Sequence, residues 1–132
     1  MPIKFSPDQG QILMCDFTSG FMRPEMQKIR HCVVVSPTRH TGTCLIVPLS
    51  LKPPKPIELW HYLIPRHRYP CIECGVDVWA KGDMLTHASF DRLSRPLENH
   101  RECRRLVQKD DLLEILKAIA HAINCGHIAE SI

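Results

Sequence analysis

The chain has 132 residues, of which 44% are hydrophobic and 23% are charged, and its net charge is +3 with histidine neutral. This composition is ordinary for a globular protein and predicts one domain, residues 1–132. The small positive charge permits binding to nucleic acid but does not require it. No apolar run reaches the length of a membrane span and the N-terminus lacks an apolar signal core, so we expect a cytoplasmic protein without membrane contact.

Three β-prone runs follow one another in the first fifty residues. Residues 11–17 alternate between two faces, whereas residues 32–35 and 44–47 are continuous apolar runs, which is typical of buried strands. A charged loop, residues 18–29, separates the first two runs, and residues 37–42 indicate a hairpin connection between the second and third. Cysteines within these runs are predicted to be buried free thiols of a protein in a reducing compartment.

The second half of the chain predicts shorter strands and one helix. Strand candidates are residues 58–64, 76–80 and 83–88, and residues 98–105 read as a polar, solvated stretch. Ser89 is a candidate N-cap for a short helical turn. Apolar residues recur at helical spacing from Leu112 to Ile123, with Asp110 and Asp111 at the start and Gly126 at the stop. The pattern predicts a bent antiparallel sheet of five or six strands followed by a C-terminal helix.

An ordered set of short features in this chain resembles the MazF/PemK family of toxin ribonucleases from bacterial toxin–antitoxin systems. Gly10 opens the first strand, and Glu25 and Arg30 stand at the spacing of the family's Glu-x-x-x-x-Arg motif. A Val-rich strand follows, and residues 46–50, Ile-Val-Pro-Leu-Ser, close the pattern at Ser50. Residues 83–93 resemble the family's last strand with its Arg-Leu ending. The resemblance covers roughly residues 9–125, and His31 stands where the family usually has proline.

The resemblance implies a fold and a function. The fold is mainly β (α+β), an SH3-like small barrel of five to six antiparallel strands with a C-terminal helix. The function is that of a metal-independent endoribonuclease toxin, which cleaves single-stranded RNA by attack of the 2′-hydroxyl and needs no cofactor. The expected partners are single-stranded RNA, a cognate antitoxin protein and a second copy of the chain. One helix cannot cover both faces of such a sheet, which also favours a homodimer.

Arg30 and Ser50 are the predicted catalytic residues. A guanidinium presents forked donors that match phosphate oxygens, and it remains protonated at neutral pH, so Arg30 would stabilise the charged transition state. The Ser50 hydroxyl would position the phosphate. From spacing alone, a surface strand-end residue and a turn residue are the competing interpretation. His31 has the chemistry of an acid or base, but strand alternation places it on the face opposite to Arg30.

Five further residues are candidates for substrate binding, and each has a simpler alternative. Phe17 would stack on a base, or pack in the core. Glu25 would orient Arg30 through a salt bridge, or be an exposed loop charge. Lys28 belongs to the same charged loop. Arg66 and Arg68 would line an RNA groove, or belong to a solvated loop.

Cys71 and Cys74 form a Cys-x-x-Cys motif, which is half of a zinc site. His61, His67 and Cys103 are the candidates for the other half, but no second motif completes the set, so we predict no metal. The rival to the enzyme is a catalytically inactive MazF/PemK-like module that binds nucleic acid or protein. Cleavage of a long RNA in EDTA separates the two.

Overall fold

The computed structural model describes residues 2–20, 28–38, 41–72 and 76–130. Its longer strands are β1 (Gln11–Asp16), β2 (Ile29–Thr38), β3 (Thr43–Ser50), β4 (His61–Ile64), β5 (Val78–Lys81) and β6 (Thr86–Ser89). Four two-residue strands follow: β7 (Leu93–Ser94), β8 (Leu97–Glu98), β9 (Arg101–Glu102) and β10 (Arg105–Leu106). The helices are α1 (Lys109–Ala122) and α2 (Gly126–Ala129), with single 3₁₀ turns at Gly82–Met84 and Phe90–Arg92.

The sheet confirms the mainly β class with a C-terminal helix, but it differs from the predicted small barrel in strand number and closure. In the part of the chain that the structure describes, eight strands form one antiparallel sheet in the order β10-β1-β2-β3-β5-β4. β6 also pairs with β3, and β7 with β1, while β8 and β9 form a separate hairpin. Because β4 and β10 each end the path without pairing to one another, this sheet stays open.

The stretch predicted to be solvated, residues 98–105, contributes to three short strands. Its side chains are largely exposed, as expected, but its backbone pairs: Leu97 opposes Glu102, and Gln11 of β1 opposes Leu106. Pairing of this kind uses only backbone N–H and C=O groups, so it leaves no apolar pattern in the sequence. The prediction of a solvated stretch is therefore confirmed for the side chains, and the pairing of its backbone is what the sequence did not reveal.

Alternation along the central strands divides the buried residues between two faces of the sheet. We call the side that packs on α1 the helix-side face; its core includes Ile12 of β1, Val33 of β2, Val47 of β3, and Ile115 and Ile119 of α1. The other side is the opposite face, whose core consists of Ile3, Leu13, Cys15, Phe17, Cys32, Val34, Cys44, Ile46, Ala88 and Leu93. Both cores are nearly inaccessible to solvent.

The opposite face is covered by the chain itself over much of its area. Ile3 packs in this core and its backbone N–H donates to the carbonyl oxygen of Leu93 at 2.9 Å. Phe5 packs against the same cluster and stacks under the guanidinium of Arg95, 4.6 Å from the ring centre. The premise that this face needs a second chain to bury it was therefore wrong, because the N-terminal segment and β7 supply the cover.

The predicted helix is present as α1, but it ends differently from the prediction. The last residue of α1 is Ala122, and Asn124 adopts a left-handed backbone with φ of 61°. Asparagine tolerates that conformation better than most residues, so it takes the place that glycine often fills after a helix. Gly126 begins α2 and does not stop α1. No helix in the described residues is long and apolar enough to cross a membrane.

The helix reaches the sheet through a close backbone contact at the end of β5. A Cβ atom on Gly82 would lie 2.9 Å from the carbonyl carbon of Ala118 in α1 and 3.0 Å from the carbonyl oxygen of Trp60. The Gly82 N–H donates to that same Trp60 oxygen at 2.8 Å. The absence of a side chain at Gly82 thus sets the distance between α1 and the β4–β5 pair.

Candidate functional site

The register of the sheet brings Arg30 and Ser50 together on the opposite face. β2 and β3 pair with Cys32 opposite Pro48 and Val33 opposite Val47. Two residues further along each strand, the same register places Arg30 opposite Ser50. Side chains of directly opposed residues in an antiparallel pair share a face and have Cβ atoms about 4.5–5.5 Å apart. Residues twenty positions apart in sequence therefore end as neighbours, at the end of the sheet where β2 starts and β3 stops.

Ser50 is buried, with 4% of its surface exposed. Its Oγ accepts a hydrogen bond from the backbone N–H of Lys52 at 3.2 Å and lies 3.4 Å from the Lys52 carbonyl oxygen, to which it donates. Both contacts are long for hydrogen bonds of their types. The hydroxyl is held in place by the turn after β3, and its weakly bonded proton is free to turn towards a better acceptor.

β5 adds a third residue to this row. Ser50 of β3 opposes Trp79 of β5, and Trp79 in turn opposes Leu63 of β4. Val78 and Ala80 belong to the helix-side core, so Trp79 between them lies on the opposite face with Arg30 and Ser50. We call Arg30, Ser50, Trp79 and Leu63 the strand-end row.

Two N–H groups of the strand-end row have no acceptor. The Nε of Arg30 and the Nε1 of Trp79 are buried, and neither has a hydrogen-bond partner within the described residues. No acidic side chain in that part of the chain forms an ion pair with Arg30 either. Buried donors are nearly always satisfied, and leaving one unpaired costs about 1–3 kcal/mol. The row is thus cationic, and two of its donors have no acceptor among the described residues.

His31 lies on the helix-side face, as alternation predicts. Its Nε2 is 2.7 Å from the carbonyl oxygen of Cys71. It lines a cavity of about 580 Å³ with residues of β1, β7 and the loop after β4, among them Met14, Ile72, Ser94 and Arg95. A smaller cavity of about 160 Å³ is also lined by His31 and reaches Arg30 at its edge. His31 therefore anchors the loop at Cys71, and the sheet separates its ring from Ser50.

Three of the predicted substrate-binding residues lie around the β1–β2 connection. Phe17 is 1% exposed and packs in the core of the opposite face, so its ring has no free surface for a base. The stacking role was wrong for Phe17, and core packing is what the structure shows. Lys28 is exposed just before β2, and its carbonyl oxygen accepts from the Phe17 N–H at 3.2 Å. Glu25 lies outside the described residues.

The two predicted groove arginines are both paired within the protein. Arg66 follows β4, and its Nε donates to Asp77 at 2.8 Å just before β5, at the same end of the sheet as Ser50. Arg68 donates from Nη1 to Asp110 at 2.9 Å and to Asp111 at 3.1 Å, at the start of α1. Arg68 holds the pKa of the Asp110 carboxyl below its usual range. Neither guanidinium joins the strand-end row.

Asp111 is the centre of a fully bonded cluster under the helix-side face. It is 0% exposed, and its carboxylate accepts from the hydroxyls of Tyr62, at 2.6 Å, and Tyr69 as well as from Arg68. The Tyr69 hydroxyl also accepts the backbone N–H of Gln108 at 2.8 Å. Burial, followed by the hydrogen bond to Asp111, raises the pKa of both tyrosines. The cluster ties the loop after β4 to the first turn of α1.

Cys71 is the cysteine of the Cys-x-x-Cys motif that lies within the described residues, and its thiol lies near that of Cys103. Burial is the largest cause that raises the pKa of the Cys71 thiol to about 12, and Cys103 hydrogen-bonds to it. Cys103 Sγ also lies 3.5 Å from the carbonyl oxygen of Pro96. Among the described residues, no three His, Cys, Asp or Glu side chains are close enough together to hold a metal ion. Cys74 lies outside that part of the chain, so the motif as a whole stays a prediction.

Two residues that sequence reasoning did not assign to the site stand out in the structure. Trp79 belongs to the strand-end row, and its place follows from the β3–β5 pairing, which no local pattern reveals. Arg92, seen in the sequence only as part of an Arg-Leu ending, donates to the carbonyl oxygens of Asp16 at 3.0 Å and Ser19 at 2.6 Å. Arg92 thereby holds the chain just after β1, and Ser89 caps its turn by accepting from the Asp91 N–H at 3.2 Å, as predicted.

The family described as PemK-like, MazF-like toxins of type II toxin–antitoxin systems matches residues 8–123. The chain belongs to this family.

Individual proteins are also similar to this chain in sequence or in fold. The chain is 27% identical to the protein YifN of Escherichia coli (strain K12) over 146 aligned positions, which cover 94% of this chain and 96% of that protein. It is similar in fold to MazF from Deinococcus radiodurans, with a TM-score of 0.67 and 18% identity over 92% of this chain and 99% of that one. It is also similar to a mycobacterial endoribonuclease in complex with its cognate antitoxin, with a TM-score of 0.64 and 18% identity over 90% and 96% of the two chains.

Proposed function

We propose that the protein is a metal-independent endoribonuclease toxin of a toxin–antitoxin system, which cleaves single-stranded RNA at the strand-end row. The proposal rests on two observations: the β2–β3 register, continued two residues beyond Cys32 and Pro48, sets Arg30 opposite the buried Ser50, and the Nε of Arg30 has no partner within the described residues. A cation with an unused donor beside a hydroxyl whose own hydrogen bond is long fits a phosphodiester group, which brings acceptor oxygens and negative charge.

The proposed cleavage of RNA needs few protein groups besides Arg30 and Ser50. The 2′-hydroxyl of the RNA is the nucleophile, so no bound water has to be activated. As it attacks, the phosphorus becomes pentavalent and its oxygens gain charge, which the Arg30 guanidinium stabilises. The 2′-hydroxyl gives its proton to solvent water, the bond to the 5′-oxygen breaks, and that oxygen takes a proton from water, so the products are a 2′,3′-cyclic phosphate and a free 5′-hydroxyl. Ser50 donates to a phosphate oxygen and holds the reacting group in line.

Cations around the row suit an RNA strand that runs past it. Lys28 precedes β2 and Lys52 follows β3, and both are exposed at the same end of the sheet as Arg30. Lysines at such positions attract successive phosphates without reading sequence. Arg66 could contact the same RNA strand only if its ion pair with Asp77 broke. Arg68 could do so only if its ion pairs with Asp110 and Asp111 broke.

The test is incubation of the purified protein with a long RNA in EDTA. We expect discrete fragments with 2′,3′-cyclic phosphate ends. A synthetic strand with a single 2′-deoxy sugar at one cut site resists cleavage there and is cut as usual at other sites, which is its internal control. Equal cutting at the deoxy position would rule out the mechanism. Intact RNA that the protein still binds would support the catalytically inactive module instead.

The surface around the strand-end row also suggests two protein partners, an antitoxin and a second copy of the chain. The solved mycobacterial relative is a complex with its cognate antitoxin. An antitoxin segment that places acidic side chains on Arg30 and the neighbouring lysines would compete with RNA for the strand-end row. We also propose a homodimer, which would cover exposed apolar residues beside the row, such as Ile29, which precedes Arg30 and is 57% exposed. Sedimentation equilibrium checks this: a fully active single chain of 15.2 kDa would contradict it.

A further inference from the structure

Trp79 occupies the strand-end row without belonging to either core. It is 8% exposed, yet neither the helix-side core nor the core of the opposite face includes it. Its neighbours across the sheet are Ser50 on one side and Leu63 on the other. A buried indole next to a reactive hydroxyl has two ways to act: its ring fills space, and its N–H donates a hydrogen bond.

The N–H of Trp79 has nothing to donate to in the described structure. Its Nε1 is buried and unpartnered, as is the Nε of Arg30 on the other side of Ser50. Ser50 is not their acceptor, since neither N–H group has a hydrogen-bond partner within the described residues and the recorded bonds of the Ser50 Oγ are to the backbone of Lys52. Buried tryptophan N–H groups usually find a partner. The two residues that flank Ser50 therefore each carry a donor without an acceptor among the described residues, which is what a ligand with acceptor oxygens would use.

We propose that the indole N–H of Trp79 donates to an oxygen of the RNA phosphodiester held by Arg30 and Ser50, which makes Trp79 a third phosphate contact. The identity of the anion rests on the proposed function, whereas the contact rests on the row itself. Because both N–H groups are already shielded from water, neither loses a hydrogen bond to water when the phosphate binds. The new bonds to a charged group are therefore realised almost in full.

The chemistry of the row favours a phosphodiester over a neutral ligand. Its three donors come from three adjacent strands, and a phosphodiester offers several acceptor oxygens in a compact tetrahedron, enough for all three. A single carbonyl oxygen does not satisfy donors on both sides of Ser50. Positive charge from Arg30 then selects the anion, and Trp79 contributes to its placement without adding charge.

The experiment uses the two indole N–H signals of the ¹⁵N-labelled protein, since the chain has two tryptophans. Trp60 lies before β4, outside the row, so its signal is the internal control. Titration with an uncleavable oligodeoxynucleotide is expected to move the Trp79 signal downfield and leave that of Trp60 in place. A Trp79 signal that stays fixed while the backbone signals show the oligonucleotide bound overturns the proposal. A shift with inorganic phosphate but none with the oligonucleotide also overturns it, as the site would then take the free ion.

A variant separates this inference from the proposed function. Trp79→Phe keeps the aromatic ring and removes the N–H, and we expect binding of the oligonucleotide to weaken by about tenfold, as for the loss of a hydrogen bond to a charged group. The matched variant Trp60→Phe binds as the wild type does. If wild-type and Trp79→Phe proteins bind and cleave equally well, the contact is wrong and the ribonuclease stands. If the Trp79 signal moves but no RNA is cut, the contact stands and the enzyme fails.

Discussion

The two faces of the sheet differ in whether their buried polar groups have hydrogen-bond partners. Under the helix-side face, Asp111 is wholly buried and accepts from Tyr62, Tyr69 and Arg68. On the opposite face, the buried Nε of Arg30 has no partner in the described residues. A satisfied cluster contributes to stability, whereas unpaired donors cost stability and persist where a ligand will use them. The comparison therefore assigns the Asp111 cluster to the fold and the strand-end row to function.

Removal of the Asp111 carboxylate is expected to have the largest effect on stability. Asp111→Ala leaves two buried tyrosine hydroxyls without this acceptor and Arg68 with Asp110 alone, which lowers the free energy of unfolding by about 3–5 kcal/mol. The adjacent Asp110→Ala is the matched control, because that carboxylate is exposed and its partners among the described residues are Arg68 and the Asp111 backbone N–H. Urea denaturation of both variants checks this, and equal stabilities would remove the distinction between the faces.

The Ser50 hydroxyl is expected to affect cleavage and leave stability almost unchanged. Ser50→Ala removes one donor to the phosphate and slows RNA cleavage by about tenfold, since one hydrogen bond to a charged group is lost. Ser50→Thr keeps the hydroxyl and is expected to stay within a few-fold of the wild type. The test compares the RNA cleavage rates of the wild type and the two variants at the same protein concentration. Equal rates for the Ala and Thr variants would show that the hydroxyl takes no part.

Alkaline pH is expected to weaken the core of the opposite face gradually. Burial raises the pKa of the Cys15 thiol from 9.0 to about 12 and that of Cys44 to about 11. These thiols stay protonated in the folded chain but ionise in the unfolded one. Their contribution is thus complete below pH 9.0 and is lost as the pH rises towards about 12. Urea midpoints measured from pH 8 to pH 11 follow this loss of stability. We expect the midpoint of Cys15→Ala to fall less over this range than that of the wild type. Cys125→Ala is the control, because Cys125 lies outside both cores, and its midpoint should fall as much as that of the wild type.

The sequence predicts those elements whose signal is local. β1, β2, β3 and α1 carry apolar patterns of the right period, and Ser89 is a cap that its own neighbours define. Arg30 and Ser50 could be placed together in advance because Arg30 lies at the start and Ser50 at the end of two consecutive strands, which a short connection joins. Phe17 shows the limit of this reasoning, since a strand-end aromatic has the same sequence signature whether it faces solvent or the core.

The remaining features depend on contacts between distant parts of the chain. Arg68 looks like a free groove cation in sequence, but it meets Asp111, 43 positions away. Trp79 enters the row only because β5 pairs with the last two residues of β3. The short strands β8–β10 are made by backbone bonds between polar residues. Local patterns contain none of this information, because the partner is decided by the register of the whole sheet.

The measurement that tests the central claim most directly is the rate of RNA cleavage by Arg30→Ala in EDTA. The account predicts a fall of about 10²–10³-fold, as for the loss of a charged transition-state contact, with an unchanged circular dichroism spectrum and urea midpoint. Arg104→Ala is the control, because Arg104 is exposed and pairs with Asp8, away from the strand-end row. Cleavage by Arg30→Ala at the wild-type rate, with the fold intact, would contradict the assignment of the row to catalysis.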